Sequence, residues 1–401
     1  MEEMQKKGGN VAAIATMFAL FFMIAFVTNF AGSMGVIVKN QFGASNTASQ
    51  LGSAANFFAY LFMGIPGGLI LKRKGYKFTA LLACAVGFAG VGVQLASGYV
   101  SSFAVYVTGA FIAGFSMCLL NLVVNPLLNT LGGGGNRGNQ MVQFGSSLNS
   151  IGGTIAPILL GYLIGGEIVK AKVADAAPAL LIAMGIFALA FIVVALSKIP
   201  EPHKETAEEK AARLSGQTSV IKDIIATLKY RHFTLGAIAI FLYIVIECGI
   251  PNMANLYMTT EKVGEVANPG YVGAIVAGSV VAVYWFLMMV GRVLGGTFGG
   301  KISARAMVTG CAVSGIALML AAMYVPVKMV TIPVVGATVP LSMLLAVLCG
   351  LSTSVMWGAL FNLAAEGLGK YVPMGSGIFM AMVFGGVLLP VQGYIADKVG
   401  T

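Results

Sequence analysis

Long apolar segments recur along the chain, separated by shorter stretches that carry most of its polar and charged residues. A helix needs about 20 apolar residues to cross a hydrocarbon core of about 30 Å, and each segment has roughly this length. The pattern predicts eleven membrane-spanning helices, at residues 11–38, 48–71, 78–98, 103–130, 140–166, 177–197, 232–259, 271–298, 304–326, 339–365 and 372–395. The first segment is too long for a signal peptide and has no small-residue cleavage site, so we expect it to be retained.

The longest polar stretch, residues 198–231, divides these segments into six before it and five after it. We therefore predict an N-terminal six-helix half at residues 1–197, a linker at 198–231 and a C-terminal half at 232–401. Charged residues dominate the linker, and Glu205–Leu214 is expected to form a surface helix.

The composition excludes a soluble domain. Only 9% of residues are charged and 58% are hydrophobic, with a mean hydropathy of +0.90, whereas soluble domains carry about 25% charged residues. The formal net charge is +10, but most Lys and Arg residues fall on the side of the predicted bundle that holds the linker. This asymmetry follows the positive-inside rule. It predicts a cytoplasmic N-terminus and linker, and it removes the reason to expect a nucleic-acid partner.

No segment carries the pattern of a metal, cofactor or catalytic site. The 5 cysteines lie in or beside apolar segments without metal-ligand spacing, and free cysteines behave there as small hydrophobic residues. The glycine-rich stretch GGGGNRG at 132–138 lacks the Lys and hydroxyl residue of a phosphate-binding loop. We expect neither an enzyme nor a bound cofactor.

Two stretches repeat in the two predicted halves. NPLLNTLG at 125–132 matches NLAAEGLG at 362–369, and GGTIAP at 152–157 matches GGVLLP at 385–390. The fourth and fifth segments therefore correspond to the tenth and eleventh. Chance similarity between glycine-rich helices is the alternative, but the matches occur in the same order. The correspondence predicts a twelfth helix after Thr401.

Two parallel six-helix halves joined by a long linker are typical of the major facilitator arrangement. GLILKRKGYK at 68–77 resembles the loop between the second and third helices of that superfamily. In more detail the chain resembles its fucose–galactose–glucose symporter family, in TNFAGSMGVIVKNQFGAS (28–45), NLVVNPLLNTLG (121–132), SLNSIGGTIAP (147–157), FLYIVIECG (241–249), VGRVLGG (290–296) and FNLAAEGLGKYVPMGSG (361–377). The resemblance implies uptake of a neutral monosaccharide across the bacterial inner membrane, driven by a cation gradient, usually of protons, by a protein that works as a monomer.

The chain departs from this family at three positions where an acidic residue is usual. They hold Gly32 in the first segment, Lys72 in the loop and Asn121 in the fourth segment. Proton coupling by the family's usual route therefore lacks its carboxylates.

One carboxylate, Glu247, lies deep in a predicted span, and Arg292 is the one base placed comparably. Intramembrane charges cost about 2.5–3.5 kcal/mol on insertion scales and mark ion paths, sites or internal pairs. Glu247 is thus either the coupling group or half of a fixed pair with Arg292, for which a structural or gating role is favoured. Pro251 removes a helix hydrogen bond, and we expect the seventh helix to bend or break there.

Polar residues in the other spans predict a cavity that offers both donors and acceptors, as sugar hydroxyls require. The predicted substrate-binding residues are Asn29, Asn121, Asn125, Gln143, Ser146, Asn149, Asn252, Asn255, Trp357 and Asn362. The alternative for each amide is a hydrogen bond between helices, worth about 0.6 kcal/mol. Trp357 lies too deep for an interfacial belt, and its flat face fits stacking against a sugar ring.

The leading hypothesis is a secondary active importer of a hexose or 6-deoxyhexose such as fucose, galactose or glucose, working by alternating access. An exporter of drugs or metabolites with the same fold is the alternative, and the 22 methionines are compatible with it. An uncoupled sugar facilitator is a further alternative. A sugar sensor is disfavoured because no appended domain is visible that would relay a signal.

Overall fold

The computed structural model describes residues 2–43, 46–163, 172–215, 219–263, 266–326, 328–333 and 336–399. Its α-helices are α1 Glu2–Phe42, α2 Asn46–Ser49, α3 Leu51–Lys74, α4 Tyr76–Val100, α5 Phe103–Leu131, α6 Gly135–Leu163, α7 Ala177–Leu196, α8 Ala207–Leu214, α9 Val220–Leu228, α10 Arg231–Thr259, α11 Ala274–Phe298, α12 Ala304–Tyr324, α13 Leu341–Thr353, α14 Met356–Ala365, α15 Val372–Met382 and α16 Leu389–Val399. We refer to α1–α7 as the N-terminal helices and to α10–α16 as the C-terminal helices. The linker lies between them in the sequence.

Helices form most of each of the eleven predicted segments, with ends that differ by a few residues; residues 339–340, for example, belong to a strand. Residues 164–166 lie outside the described part of the chain. Within that part, nine helical segments are long and apolar enough to cross a membrane, and Val11–Val27 is a shorter apolar stretch of α1. The predicted all-helical polytopic fold is confirmed. The length of the apolar segments is enough to predict where these helices lie, because every backbone polar group in lipid has to be paired within a helix.

Two predicted details of the helices are wrong. The tenth segment is interrupted between α13 and α14, and the eleventh contains a 3₁₀ segment, Val383–Leu388, between α15 and α16. By contrast, α10 runs without interruption through Pro251, so of the two expected outcomes, a bend or a break, the break does not occur. A proline is tolerated within a helix when the surroundings satisfy the freed backbone groups.

Burial separates central helices from peripheral ones. In the most apolar window of α5, 72% of residues are buried, whereas in α12 only 6% are. The exposed residues of α12 are mostly apolar, including Val313, Ile316 and Met323. This helix therefore presents a hydrocarbon-compatible surface, while α5 carries its polar residues in the interior.

The most extensive contacts between the N-terminal and C-terminal helices are α3 against α15 and α6 against α11. Glycine permits the first of these. A Cβ on Gly64 would lie 2.5 Å from the carbonyl oxygen of Gly377, and one on Gly68 would lie 2.6 Å from that of Pro373. The two backbones are in direct contact, which leaves no room for side chains.

The linker contains two helices at the end of the bundle where α3 ends and α10 begins, which we call the linker side. The predicted surface helix is present as α8, and Thr206 and Glu209 form a capping box at its start. The second helix, α9, is an addition to the prediction. At the opposite end, two short antiparallel hairpins connect α10 to α11 (β1 Lys262–Val263, β2 Val266–Ala267) and α12 to α13 (β3 Met329–Ile332, β4 Ala337–Pro340).

Candidate functional site

The three asparagines of α5 lie on one face because they recur every four residues. Asn125 donates from Nδ2 to the carbonyl oxygen and to Oδ1 of Asn121, at 2.9 and 3.1 Å. Asn121 in turn donates to the hydroxyl of Tyr60 on α3, at 3.1 Å. Asn121, Asn125 and Tyr60 are all buried. This face therefore forms a fixed ladder of amides in the interior of the bundle.

Three hydrogen bonds connect this polar interior to the C-terminal helices. The indole Nε1 of Trp357 donates to Oδ1 of Asn125 at 3.0 Å, and Nδ2 of Asn129 donates to Oδ1 of Asn362 at 2.8 Å. On α6, Nε2 of Gln143 donates to the carbonyl oxygen of Val355 at 2.7 Å. That carbonyl lies at the interruption between α13 and α14. The break in the tenth segment thus presents a backbone acceptor to the N-terminal helices.

The buried charges form a second cluster beside these bonds. Nη2 of Arg292 donates to Oε1 of Glu247 at 2.8 Å, which makes the predicted ion pair. Arg292 also donates from Nε to the carbonyl oxygen of Ser354. From Nη1 it donates to the carbonyl oxygen of Ser146 at 3.1 Å and to Oγ of Ser150 at 2.9 Å. One guanidinium therefore joins α6, α10, α11 and the α13–α14 junction.

Two tyrosines complete this cluster, and neither was among the residues predicted for the site. The hydroxyl of Tyr284 donates to the carbonyl oxygen of Glu247 at 3.0 Å and lies 3.0 Å from Oγ1 of Thr353. The hydroxyl of Tyr243 donates to the carbonyl oxygen of Thr353 at 3.2 Å. Tyr243 precedes Glu247 by one helical turn, so its spacing was a usable signal. Tyr284 and Thr353 had no such local signal.

Several buried polar atoms near these clusters have no hydrogen-bond partner in the described part of the structure. Among them are Oε1 of Gln143, Oγ of Ser146 and Oε1 of Gln392 on α16. The carbonyl oxygen of Ser146 accepts a hydrogen bond from Arg292. The hydroxyl group of Ser146, which was predicted to bind substrate, has no hydrogen-bond partner among the described residues. A buried unpaired polar atom costs about 1–3 kcal/mol. These atoms are therefore available to a polar ligand.

The predicted residues do not all meet in one place. Asn252 accepts a hydrogen bond from Nε2 of Gln50, just before α3 begins, and so lies towards the side opposite the linker. Asn255 lies one turn further along α10, and Asn149 lies on α6; both are half-buried. The side chain of Asn29 lies outside the described part of the structure. Pro251 is buried within α10.

A cavity of about 300 Å³ lies on the linker side, at the low end of the range for ligand pockets. Its wall includes residues from both groups of helices, namely Gly135, Asn136, Ser303, Ala304, Arg305, Asn362, Leu363 and Glu366. Asn362 belongs to this wall and also accepts the bond from Asn129. The Asn129–Asn362 contact thus separates the buried polar interior from a space open to the linker side.

Comparison with known families identifies the fold. A family model described as the Major Facilitator Superfamily matches residues 16–400, nearly the whole chain. The chain belongs to the Major Facilitator Superfamily. Proteins of this superfamily are membrane transporters, so the protein is a multi-pass membrane transporter.

Individual members of the superfamily resemble the chain over nearly its full length. A glucose/galactose transporter of Brucella abortus is 27% identical, over 97% of this chain and 88% of its own. The L-fucose-proton symporter of Escherichia coli is 21% identical, over 97% and 88% respectively. The crystal structure of the transporter FucP in the outward conformation matches with a TM-score of 0.73 at 19% identity, over 98% of this chain and 94% of that one. This structural likeness confirms the major facilitator fold.

Proposed function

We propose that the protein imports a neutral monosaccharide, a hexose or 6-deoxyhexose, by cation-coupled alternating access. The named relatives that cover nearly the whole chain are a glucose/galactose transporter and an L-fucose-proton symporter. The interior supports the same substrate class, since amides and an indole supply donors and acceptors on both groups of helices. On this proposal the protein is not an enzyme, and it has no nucleic-acid partner.

The observation that carries the proposal is the pairing of Asn125 with Trp357 across the two groups of helices, at 3.0 Å. In the described state these side chains satisfy each other, as do Asn129 and Asn362. A sugar that enters from the opposite side presents hydroxyl groups that replace such bonds one for one. Substrate binding then weakens the contacts that keep the linker side closed, which is the requirement for alternating access.

We assign the candidate residues to three positions along this route. Asn252, Asn255 and Asn149 lie where a sugar first enters, and Asn29 belongs to the same proposal. Asn121, Asn125, Gln143, Ser146 and Trp357 form the central site. Asn362, with Asn129, closes the exit towards the linker side.

Glu247 is the proposed coupling group. Its carboxylate pairs with Arg292, whose other donors reach Ser146 and Ser150 on α6. A proton that neutralises Glu247, or a sodium ion that binds to it, changes the charge next to Arg292. This change alters the strength of the hydrogen bonds from Arg292 to Ser146 and Ser150 on α6. Arg292 is thus a gating residue. The coupling cation is the cofactor that the proposal requires.

The proposed topology places the linker side in the cytoplasm of a bacterium and the protein in its inner membrane. The excess of Lys and Arg on the linker side supports this orientation. Residues 1–197 and 232–401 are then the two moving halves, joined by the linker 198–231, in a protein that functions as a monomer.

Counterflow tests the proposed substrate class without any ion gradient. Proteoliposomes preloaded with unlabelled L-fucose, galactose or glucose are diluted into the labelled sugar, with empty liposomes and Asn125→Leu as controls. We expect transient accumulation of at least one sugar by the wild type, and its loss in Asn125→Leu. Folded wild-type protein that accumulates none of the three would overturn the hexose assignment.

A further inference from the structure

The loop between α3 and α4 lies against the linker. The last turn of α3 carries Lys72, Arg73 and Lys74, and the first turn of α4 carries Lys77. The linker carboxylates beside them are Glu201, Glu205 and Asp223. Nζ of Lys72 lies 3.2 Å from Oδ2 of Asp223, and their side chains are only 19% and 23% exposed. Opposite charges therefore face each other where the linker crosses the end of α3.

The first part of the linker is attached to the N-terminal helices. The carboxylate of Glu201 accepts hydrogen bonds from the backbone N–H groups of Tyr76 and Lys77, at the start of α4. Gly75, which precedes them, has no side chain to cap the helix and adopts a φ of +91°. Glu201 supplies the missing cap from the linker. The N–H of Glu205 adds a bond of 2.7 Å to the carbonyl oxygen of Lys72.

The second part of the linker is attached to the C-terminal helices. Helix α9 packs against α15 and against the start of α10. Its buried residue Thr227 lies beside Gly375 of α15. A Cβ added to Gly375 would be 3.5 Å from the methyl carbon of Thr227. Asp223 is one turn before Thr227 and therefore moves with the C-terminal helices. Lys72 belongs to α3 and moves with the N-terminal ones.

We propose that Lys72 and Asp223 are a positioning pair that holds the linker side of the transporter closed. The inference rests on the proposed alternating access, since rocking of the two halves has to separate these residues when the linker side opens. Glu201 keeps one end of the linker on α4, and α9 keeps the other end on α15. The Lys72–Asp223 ion pair is a direct charged contact between α3, to which the first part of the linker is attached, and α9, which is attached to α15.

Because the pair is partly exposed, we expect it to shift the equilibrium towards molecules that are closed on the linker side without preventing them from opening. Partly exposed ion pairs contribute little, and salt screens them. We expect its loss to change the ratio of closed to open molecules about two- to fivefold. Reversal of one charge changes the ratio further, because it replaces attraction by repulsion.

Charge exchange tests the pair directly. The variants are Lys72→Asp, Asp223→Lys and the double exchange, each carrying spin labels at Arg73→Cys and Lys370→Cys in a background with the native cysteines replaced by Ala. Arg73 and Lys370 are exposed, on the two sides of the linker-side contact. Pulsed electron spin resonance then measures the distance between the halves without any sugar. Lys74→Asp and Lys222→Asp are matched controls, because both reverse an exposed charge next to a member of the pair.

We expect each single reversal to increase the population with a long label distance and the double exchange to restore the wild-type distribution. A merely structural role for either residue predicts no rescue by the exchange. Unchanged distances in the single variants, or a double exchange that is as open as either single variant, would overturn the proposal. This measurement contains no sugar, so its result does not depend on the proposed substrate class. An incorrect substrate class would instead be detected by the absence of counterflow in the wild type.

Discussion

The guanidinium of Arg292 lies 2.8 Å from the carboxylate of Glu247 and at the same time donates to Ser146 and Ser150 on α6. The sequence is compatible with two hypotheses for Glu247, a fixed pair with Arg292 or a coupling group. The pair is present, and its arginine also contacts α6, one of the N-terminal helices. A fixed pair within one half would have no means of linking a change of charge to movement between the halves, whereas this one does.

The first prediction concerns stability. Glu247→Leu leaves Arg292 buried without a counter-charge, which costs about 3–5 kcal/mol for a buried pair. Glu247→Gln keeps a neutral acceptor and should cost less. Glu247→Leu/Arg292→Leu should recover most of the loss, because no charge remains unpaired. Thermal unfolding of the purified variants in one detergent measures this, and equal losses in the single and double variants would contradict the pairing.

The second prediction separates two roles of Trp357. Its indole N–H donates to Asn125, while its ring face is the proposed contact with the sugar. Trp357→Phe removes the bond and keeps a ring, whereas Trp357→Leu removes both. If the ring binds sugar, Leu should raise the half-saturation concentration for counterflow about tenfold, or about 1.4 kcal/mol, and Phe should raise it much less. Equal effects of Phe and Leu would assign Trp357 to the hydrogen bond alone.

The third prediction concerns the contact between α3 and α15. A side chain on Gly64 would meet the backbone of Gly377 and Ala381 at distances near 2.5 Å, and backbone cannot move aside without separating the helices. Gly64→Val should therefore abolish counterflow. Gly185→Val is the matched control, since nothing lies within 4 Å of an added Cβ there. Normal counterflow in Gly64→Val would show that this close contact is dispensable.

The fourth prediction concerns pH at the linker. Burial lowers the pKa of His203, whose Nδ1 lies 2.6 Å from the hydroxyl of Tyr76. A released linker has an ordinary His pKa of about 6.5, so below that pH the released form takes up more protons and is favoured. The linker's attachment should be full above about pH 6.5 and weaken as the pH falls further.

Hydrogen exchange of residues 199–205 checks this prediction. Protection, corrected for intrinsic exchange rates, should decrease between pH 7.5 and pH 5.5 in the wild type. His203→Gln cannot titrate and should show the same protection at both values. An equal pH dependence in the two proteins would assign the effect to other groups.

The membrane-spanning pattern was predictable because lipid imposes it residue by residue. The asparagine face of α5 was predictable for a similar reason, since its spacing is local. The interruption at Ser354–Val355 was not, because hydroxyl residues like those that precede it also lie within an uninterrupted helix, as Ser146 and Ser147 do in α6. Likewise, the continuity of α10 through Pro251 could not be predicted, because the surroundings, rather than the local sequence, decide whether a proline breaks a helix.

Partnerships between distant residues account for most of what the sequence did not reveal about the site. Ser150 and Arg292 are separated by 142 positions, and Asn125 and Trp357 by 232. Tyr60 and Tyr284 were counted as part of apolar segments. The hydroxyl group of Tyr60 nevertheless bonds to the amide cluster, and that of Tyr284 bonds to the charge cluster. The sequence supplied the polar residues, and the fold determined which of them meet.

The measurement that tests the account most directly compares gradient-driven uptake with counterflow in Glu247→Gln. Proteoliposomes containing wild type or Glu247→Gln are assayed for accumulation of the transported sugar under an inward proton gradient and, separately, under an inward sodium gradient. Counterflow of the same preparations shows whether the variant is folded and able to exchange sugar. We predict that Glu247→Gln retains counterflow and loses accumulation under the gradient that drives the wild type. Wild-type levels of gradient-driven accumulation in Glu247→Gln would contradict the proposal that Glu247 couples the cation to transport.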